Sequence, residues 1–281
     1  MSDCMDSFQI HSSFSELIDC YDGFILDQFG VMHNGQHALD GASECVERLA
    51  KMGKKLIILS NSSSLSSATL ANLPKLGFDP TNFIGAVTSG EEASHYISKY
   101  YSGKKALMIT WSSTSSKTTS SSPTVYLEMC GDNIMLTDNV NEADFILLHG
   151  AECVRGPNGH ETSLGSYHQT GEMSTVIEPI LQQCISRDIP MVCCNPDNVM
   201  VKPDGEKAYM PGMYRKNMLT WTKRTNNKQT DNPKQQKLSF HCFIYEYSPS
   251  SPQARLQSNT SPWEARLQFL ESHMYNTLRH V

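Results

Sequence analysis

Two short apolar segments, each ending in polar residues, constrain the fold of this chain more than any other feature. The first, residues 24–26, ends at Asp27. The second, residues 56–59 preceded by Lys54 and Lys55, ends at Ser60 and Asn61. Short apolar runs bounded by turn residues are typical of buried parallel strands. Because apolar residues near helical spacing lie between them, the sequence predicts a strand–helix–strand unit with parallel strands and a right-handed crossover.

The polar residues that follow both strands are expected at one edge of the sheet, where ligands of open α/β sheets bind. There, Asp27 can act as a nucleophile that forms an aspartyl-phosphate, or as a metal ligand. Ser60 and Asn61 can donate hydrogen bonds to phosphate oxygens. Two structural alternatives remain open. Asp27 can belong to an ordinary turn, and one of residues 62–64 can be the N-cap of the next helix.

The two segments resemble motifs one and two of the haloacid dehalogenase-like (HAD) hydrolases. The flanking sequence is similar to their class IIA branch, which includes nitrophenylphosphatase-like enzymes. Three later segments follow the family order, namely Val87–Glu91, Asp144–Gly150 and Pro190–Asp197. The resemblance covers residues 14–214. It implies an α/β fold: a HAD-like Rossmannoid parallel-sheet core with an inserted α/β cap domain.

The resemblance also implies a domain order. The first part of the core is expected at residues 14–85, the cap at 86–188 and a return to the core at 189–214, followed by a divergent tail at 215–281. The sequence predicts cap strands at Lys105–Thr110, Val125–Leu127 and Phe145–Leu148, and cap helices at Gly90–Tyr101 and Ser174–Ser186. A Ser/Thr tract at residues 112–122 is interpreted as a flexible surface loop.

By the same resemblance, the chain is expected to be a magnesium-dependent phosphomonoester phosphatase. Asp27 would form the aspartyl-phosphate, and Ser60 and Asn61 would bind the phosphate. The Asp27 carboxylate and the backbone carbonyl of Phe29 would hold Mg²⁺. A small phosphorylated metabolite is the expected partner, and the cap could form a homodimer. Neither nucleic acid nor a membrane is an expected partner.

The chain departs from the family at two places. The second aspartate of motif one, the general acid/base, is replaced by Phe29, as in a class IIA subgroup with an aromatic residue there. A phenyl ring can neither donate nor accept a proton. General acid/base catalysis increases the rate by a factor of about 10²–10⁴. The family likeness then stops after Tyr214, so the distal lysine and acidic metal ligands are missing. Residues 201–204 resemble the lysine motif of the family. That motif follows a Pro-Gly turn in the family, whereas residues 201–204 precede the Pro-Gly pair at 211–212, so we interpret them as a surface turn.

We therefore expect weak or no catalysis, and two other functions remain open. The chain can be a non-catalytic HAD-like protein that binds a phosphometabolite or a protein. Alternatively, its tail can dock to another macromolecule. The tail has ten Lys and Arg residues against four Asp and Glu. Its polar composition favours disorder, although residues 263–278 have the apolar spacing of an amphipathic helix.

Composition bounds the remaining possibilities. With 281 residues, 39% of them hydrophobic, and a net charge of −6, the chain is expected to be globular. No apolar run reaches the length of about 18 residues that a membrane span needs. The acidic start lacks an apolar signal core, and nine scattered cysteines are typical of reduced thiols, so we expect a cytoplasmic protein. Ten histidines show no zinc-ligand spacing. His33 is the only one near Asp27 in sequence; it can line the entrance to the site, but we interpret it as a surface turn residue.

Overall fold

The computed structural model describes residues 13–114, 122–228 and 240–242, with side chains described up to residue 222. Twelve strands are described: β1 Gly23–Leu26, β2 Lys55–Ser60, β3 Gly85–Thr88, β4 Lys105–Thr110, β5 Met135–Leu136, β6 Phe145–Leu148, β7 Cys153–Arg155, β8 Glu161–Ser163, β9 Met191–Cys193, β10 Val199–Val201, β11 Lys207–Tyr209 and β12 Phe240–Cys242. The α-helices of the same residues are α1 Ser15–Ile18, α2 Ala42–Lys51, α3 Ser66–Asn72, α4 Ser89–Tyr100, α5 Pro123–Met129, α6 Tyr167–Thr170, α7 Ile177–Ser186 and α8 Gly212–Lys228.

The smaller sheet contains the two strands on which the sequence analysis rests. Its order is β1-β2-β3 and all its strands are parallel. Leu26 pairs with Ile58, so the ends of β1 and β2 lie side by side. Helix α2 connects these strands and buries Val46 and Leu49 against them. The predicted strand–helix–strand unit and the α/β fold class are confirmed.

One face of the smaller sheet is packed much better than the other near β1. Leu56 and Ile58 point to the face that α2 covers, and both belong to its apolar cluster. Ile25 and Ile57 are register partners on the opposite face. Ile57 on the central strand is 5% exposed, whereas Ile25 is 49% exposed. Among the described residues, β1 pairs only with β2 and is therefore an edge strand.

The larger sheet has the order β12-β9-β6-β4-β7-β8, with β5 beside β4. Strands β12, β9, β6, β4 and β5 are parallel, whereas β7 and β8 are antiparallel additions. All four residues of β6 are buried. Alternate residues of β4 and β6 pack against α4 and α5 on one face, and against α7 and α8 on the other. This sheet is covered by helices on both faces, as parallel sheets usually are.

The described residues correct two of the domain boundaries. Residues 189–214 were expected to return to the core, but β9 pairs with β6 and β12 inside the larger sheet. The tail was expected to diverge and lose structure from residue 215, but α8 continues to Lys228 and buries Met218 against the larger sheet. An apolar run predicts a strand without identifying the sheet it joins, which explains the first error. Residues 229–239 and 243–281, including the predicted helix at 263–278, lie outside the described residues.

The strands and helices that were expected to form the cap are present as predicted, except for one. Strands β4 and β6 and helix α4 are confirmed within one residue, and α7 begins three residues later than expected. The predicted strand at Val125–Leu127 is part of α5 instead. Pro123 occupies the first turn of this helix, a position that proline favours, and Tyr126 and Cys130 are buried one turn apart. Most of the predicted Ser/Thr loop lies outside the described residues. Within the described part of the chain, no helix has the length and hydrophobicity that crossing a bilayer requires.

Candidate active site

Asp27 is the first residue after β1, and its carboxylate stays accessible to solvent. The backbone N–H of Gln28 donates a 2.7 Å hydrogen bond to Asp27 Oδ1. Partial burial raises the pKa of Asp27 above its usual range, while the Gln28 hydrogen bond and the nearby His33 oppose this rise. An accessible carboxylate, partly desolvated and fixed by a backbone donor, is a suitable nucleophile.

Ser60 and Asn61 stand at the end of β2, beside the end of β1. Ser60 is buried, and its Oγ accepts a hydrogen bond from the N–H of Ser62 at 3.2 Å. The structure thus brings the strand ends that carry Asp27, Ser60 and Asn61 together at one edge. The proposed cap role of residues 62–64 is not borne out, because Leu65 is the N-cap residue of α3 and makes no side-chain cap.

Phe29 lies two residues after Asp27 and is 37% exposed. Its ring meets the His33 ring edge-on, with 6.2 Å between centroids. It also packs on Gly35, where an added Cβ would lie 3.0 Å from the Phe29 ring and where φ is +93°. Only glycine suits that position, since it accepts the left-handed backbone and leaves room for the ring. The Phe29 side chain is therefore packed within the loop, and position 29 has no group that can transfer a proton.

His33 was interpreted as a surface residue, and this interpretation is wrong. Only 7% of His33 is exposed. Its Nδ1 accepts a 3.1 Å hydrogen bond from the Gly35 N–H, so in the neutral ring the proton sits on Nε2. Nε2 is buried and has no hydrogen-bond partner within the described structure. Burial lowers the pKa of His33, and the negative charge of Asp27 raises it.

Asp197 is a site residue that the sequence analysis did not single out. It lies in the loop after β9, and its Oδ1 accepts a 2.9 Å hydrogen bond from Asn61 Nδ2. The backbone of Asp197 is held on both sides, because its N–H donates to Asn195 Oδ1 and its carbonyl accepts from the Gly212 N–H. Burial is the main cause that raises the pKa of Asp197; the Asn61 hydrogen bond lowers it and the charge of Asp27 raises it.

Lys202 takes no part in this site. It lies in the turn between β10 and β11, and its Nζ forms a 3.2 Å ion pair with Glu206. The Gly205 N–H donates to the Lys202 carbonyl across the turn. The interpretation of residues 201–204 as a surface turn is confirmed.

Comparisons with known proteins agree with this architecture. Residues 24–120 match the family model described as haloacid dehalogenase-like hydrolase, and this segment includes Asp27, Ser60 and Asn61. A search of curated proteins finds no match to the chain. Among solved structures, the chain is similar to a hydrolase of the haloacid dehalogenase-like family from Brucella suis 1330. The sequence identity is 19%, the TM-score is 0.60, and the match covers 92% of this chain and 78% of that one.

Two further solved structures are similar. A possible sugar phosphatase of the HAD superfamily from Cytophaga hutchinsonii ATCC 33406 has 17% identity and a TM-score of 0.51, over 82% of this chain and 80% of that one. A p-nitrophenyl phosphatase from Archaeoglobus fulgidus has 18% identity and a TM-score of 0.47, over 72% of this chain and 66% of that one. The matches thus cover 66–80% of the lengths of these three structures. Its fold is similar to that of the Brucella suis hydrolase, and its residues 24–120 match the model of the haloacid dehalogenase-like hydrolases.

Proposed function

We propose that this chain is a class IIA HAD phosphomonoester hydrolase of low activity that acts through an aspartyl-phosphate at Asp27. The observation that carries the proposal is the placement of an accessible Asp27 carboxylate at one sheet edge with Ser60 and Asn61. An oxygen of Asp27 would attack phosphorus. Ser60 Oγ already accepts the Ser62 N–H, which directs its hydroxyl proton toward another acceptor, such as a phosphate oxygen.

Two oxygen donors near the end of β1 would hold Mg²⁺, namely the Asp27 carboxylate and the backbone carbonyl of Phe29. Within the described residues, no group of three His, Cys, Asp or Glu side chains could hold a metal ion. Mg²⁺ is commonly held by one or two carboxylates together with waters and substrate phosphate, so this set fits a weakly bound ion. When bound, Mg²⁺ would neutralise negative charge on the phosphate.

The remaining expectations are part of the same proposal. The substrate would be a small phosphorylated metabolite, and the elements around the larger sheet would select it. The protein would act in the cytoplasm and could dimerise through the cap, without a nucleic-acid or membrane partner. Low activity follows from Phe29, whose ring is packed on His33 and Gly35 where an acid/base would be needed.

The packing of Phe29 also favours a second function, a non-catalytic HAD-like protein that binds a phosphometabolite or a protein. Such a protein would keep Ser60 and Asn61 as phosphate donors but would not need the nucleophile. The two functions differ in what they require of Asp27. Catalysis needs its carboxylate, whereas binding of a phosphate dianion should improve when that negative charge is removed.

The test compares the wild-type chain with Asp27→Asn, using an aryl phosphate and added Mg²⁺. The phosphatase proposal expects measurable turnover in the wild type and none in the variant. Asp22→Asn, an exposed carboxylate just before β1, is the matched control and should behave as wild type. Turnover that is equal in wild type and Asp27→Asn would exclude Asp27 from the reaction. Tighter phosphate binding by Asp27→Asn, with no turnover in either protein, would favour the binding function.

A further inference from the structure

Hydrolysis through an aspartyl-phosphate requires two proton transfers that Phe29 cannot make. The leaving oxygen needs a proton in the first step, and the attacking water must lose one in the second. Two titratable side chains interact electrostatically with Asp27 in the described structure, namely His33 and Asp197. Both stand near the sheet edge, one in the loop after β1 and the other in the loop after β9.

The hydrogen bonding of His33 makes it a poor proton donor. Its Nδ1 is held by the Gly35 N–H, so the remaining nitrogen carries the proton of a neutral ring. A neutral imidazole N–H gives up its proton only at very high pH, and burial disfavours the charged ring that would be a good acid. His33 is therefore suited to donating a hydrogen bond but not to transferring the proton.

Asp197 has the position and the support that a proton-transfer group needs. Asn61 Nδ2 holds its carboxylate at 2.9 Å, and Asn61 directly follows Ser60 at the strand end beside Asp27. The hydrogen bonds from Gly212 to the Asp197 carbonyl and from the Asp197 N–H to Asn195 fix its backbone. Gly212 lies so close to Pro196 that an added Cβ would overlap the Pro196 carbonyl, so the loop has little freedom to move.

We propose that Asp197, held by Asn61, is the general acid and base for the residual phosphatase activity of this chain. The proposal rests on the phosphatase function proposed above. Its carboxyl group would reach the reacting atoms from the larger sheet, in place of the usual group two residues after Asp27. Burial favours the protonated carboxyl that the first step needs, the Asn61 hydrogen bond opposes it and the charge of Asp27 favours it, so that the pKa of Asp197 is raised on balance.

The two steps balance with Asp197 as the only proton carrier. In the first step, an Asp27 oxygen bonds to phosphorus and the ester P–O bond breaks. The electron pair stays on the ester oxygen, which takes the Asp197 proton and leaves as an alcohol. In the second step, the Asp197 carboxylate takes a proton from water while the water oxygen bonds to phosphorus. The bond from phosphorus to Asp27 breaks, which releases inorganic phosphate and returns both carboxyl groups to their starting states.

The test uses Asp197→Asn in the full chain, with Asp204→Asn as the matched control. Asp204 is an exposed carboxylate in the nearby β10–β11 turn. With p-nitrophenyl phosphate, whose leaving group needs little protonation, the first step should survive in Asp197→Asn and the second should slow. Intact-mass measurement after rapid quenching should then show a phosphorylated protein that wild type and Asp204→Asn do not accumulate. With glycerol phosphate, whose leaving group needs a proton, turnover should fall at least about tenfold.

Each result decides the proposal. The inference would be overturned if Asp197→Asn accumulated no phosphorylated protein and lost turnover equally on both substrates. Asp197 would then have a structural role, and the phosphatase function would stand. Wild-type turnover that is independent of Asp27 would overturn the phosphatase function, and the inference would fall with it. If Asp197→Asn does not fold, Asp197→Glu provides the second measurement. It keeps the carboxyl group, so the inference expects partial turnover with an unchanged ratio between the two substrates, and a changed ratio would contradict it.

Discussion

Asn61 Nδ2 and Asp197 Oδ1 lie 2.9 Å apart, and their hydrogen bond joins the end of β2 in the smaller sheet to the loop after β9 in the larger sheet. One end of this bond is a residue expected to bind phosphate. The other is a carboxylate that would be repelled by phosphate if it were ionised. The hydrogen bond therefore links the charge state of Asp197 to phosphate binding at the strand ends.

Removing the amide in Asn61→Ala should weaken both the site and the contact between the two sheets. The loss of one partly buried hydrogen bond to a carboxylate is expected to cost about 1–2 kcal/mol of unfolding free energy. Affinity for inorganic phosphate, measured by calorimetry, should fall in the same variant. Asn72→Ala is the control, since Asn72 is exposed at the end of α3 and makes no cap hydrogen bond. Unchanged phosphate affinity in Asn61→Ala would remove Asn61 from the phosphate site.

Replacing the aromatic residue in Phe29→Asp should raise the activity of the chain. We expect the wild-type turnover number to be about 10²–10⁴ below the typical enzyme value of roughly 10 s⁻¹, because the proton-transfer group is missing at position 29. Phe29→Asp restores a carboxyl group there and should recover about 10²-fold, as measured by steady-state release of p-nitrophenol. Phe29→Leu is the control for lost packing on His33 and Gly35 and should show no gain. A wild-type value near 10 s⁻¹ would refute the expectation of low activity.

The parts of the fold that were predicted correctly depend on local sequence patterns. Strands β2, β4 and β6 are short apolar runs, and most of their side chains are buried in the way that such runs predict. Strand β1 was also identified from its apolar run, but it lies at the sheet edge and its Ile25 is exposed. The segment 125–127 was assigned to a strand because it is apolar, whereas Pro123 and the burial of residues one turn apart make it helical. The segment that forms β9 was assigned to the core and so to the wrong sheet, because sheet membership depends on pairing with residues far away in the sequence.

The candidate site was predicted only in part for the same reason. Asp27, Ser60 and Asn61 were found because each ends a strand in the same strand–helix–strand unit. His33 was misjudged because its burial arises from the folded loop around Gly35 and Phe29, which composition alone does not reveal. Asp197 was missed as a partner of Asn61 because 136 positions separate the two residues in sequence.

The substitution Gly212→Ala should displace Asp197 without changing any side chain of the candidate active site. The added Cβ would overlap the Pro196 carbonyl, so the loop that carries Asp197 must shift. Overpacking of this kind costs about 1–3 kcal/mol. We expect a lower melting temperature and, on glycerol phosphate, a loss of turnover similar to that of Asp197→Asn. Lys216→Ala, on the exposed side of the same helix, should change neither quantity. A destabilised variant with full turnover would show that the position of this loop does not matter to the reaction.

His149 should make the stability of the chain depend on pH. Its ring is fully buried, its Nδ1 lies 2.8 Å from Thr110 Oγ1, and the ring packs on Tyr126. Burial lowers the pKa of His149 to about 3, from about 6.5 in the unfolded chain. As the pH falls below 6.5, the unfolded chain binds this proton and the folded chain does not, so stability decreases until the pH reaches the folded-state value.

The size of this effect can be measured by denaturant unfolding. Between pH 6.5 and 4.5 the His149 contribution should lower the unfolding free energy by roughly 2 kcal/mol. His149→Gln removes the titrating group and should flatten the pH dependence by this amount, whatever its effect at pH 7. His95→Gln, on the exposed side of α4, is the control and should keep the wild-type slope. Equal slopes in all three proteins would show that His149 titrates normally in the fold.

The exposed edge of the smaller sheet should limit the solubility of the isolated chain. Ile25 is 49% exposed on β1, and among the described residues β1 has a partner on one side only. An apolar edge strand can pair with another copy, and a lysine on such a strand opposes this pairing. Ile25→Lys should therefore reduce concentration-dependent light scattering without lowering the melting temperature. Ile57→Lys is the matched comparison, because Ile57 is the register partner of Ile25 but is buried on the central strand, and an unpaired charge there should unfold the sheet. If Ile25→Lys scatters light as strongly as wild type, aggregation does not begin at this edge.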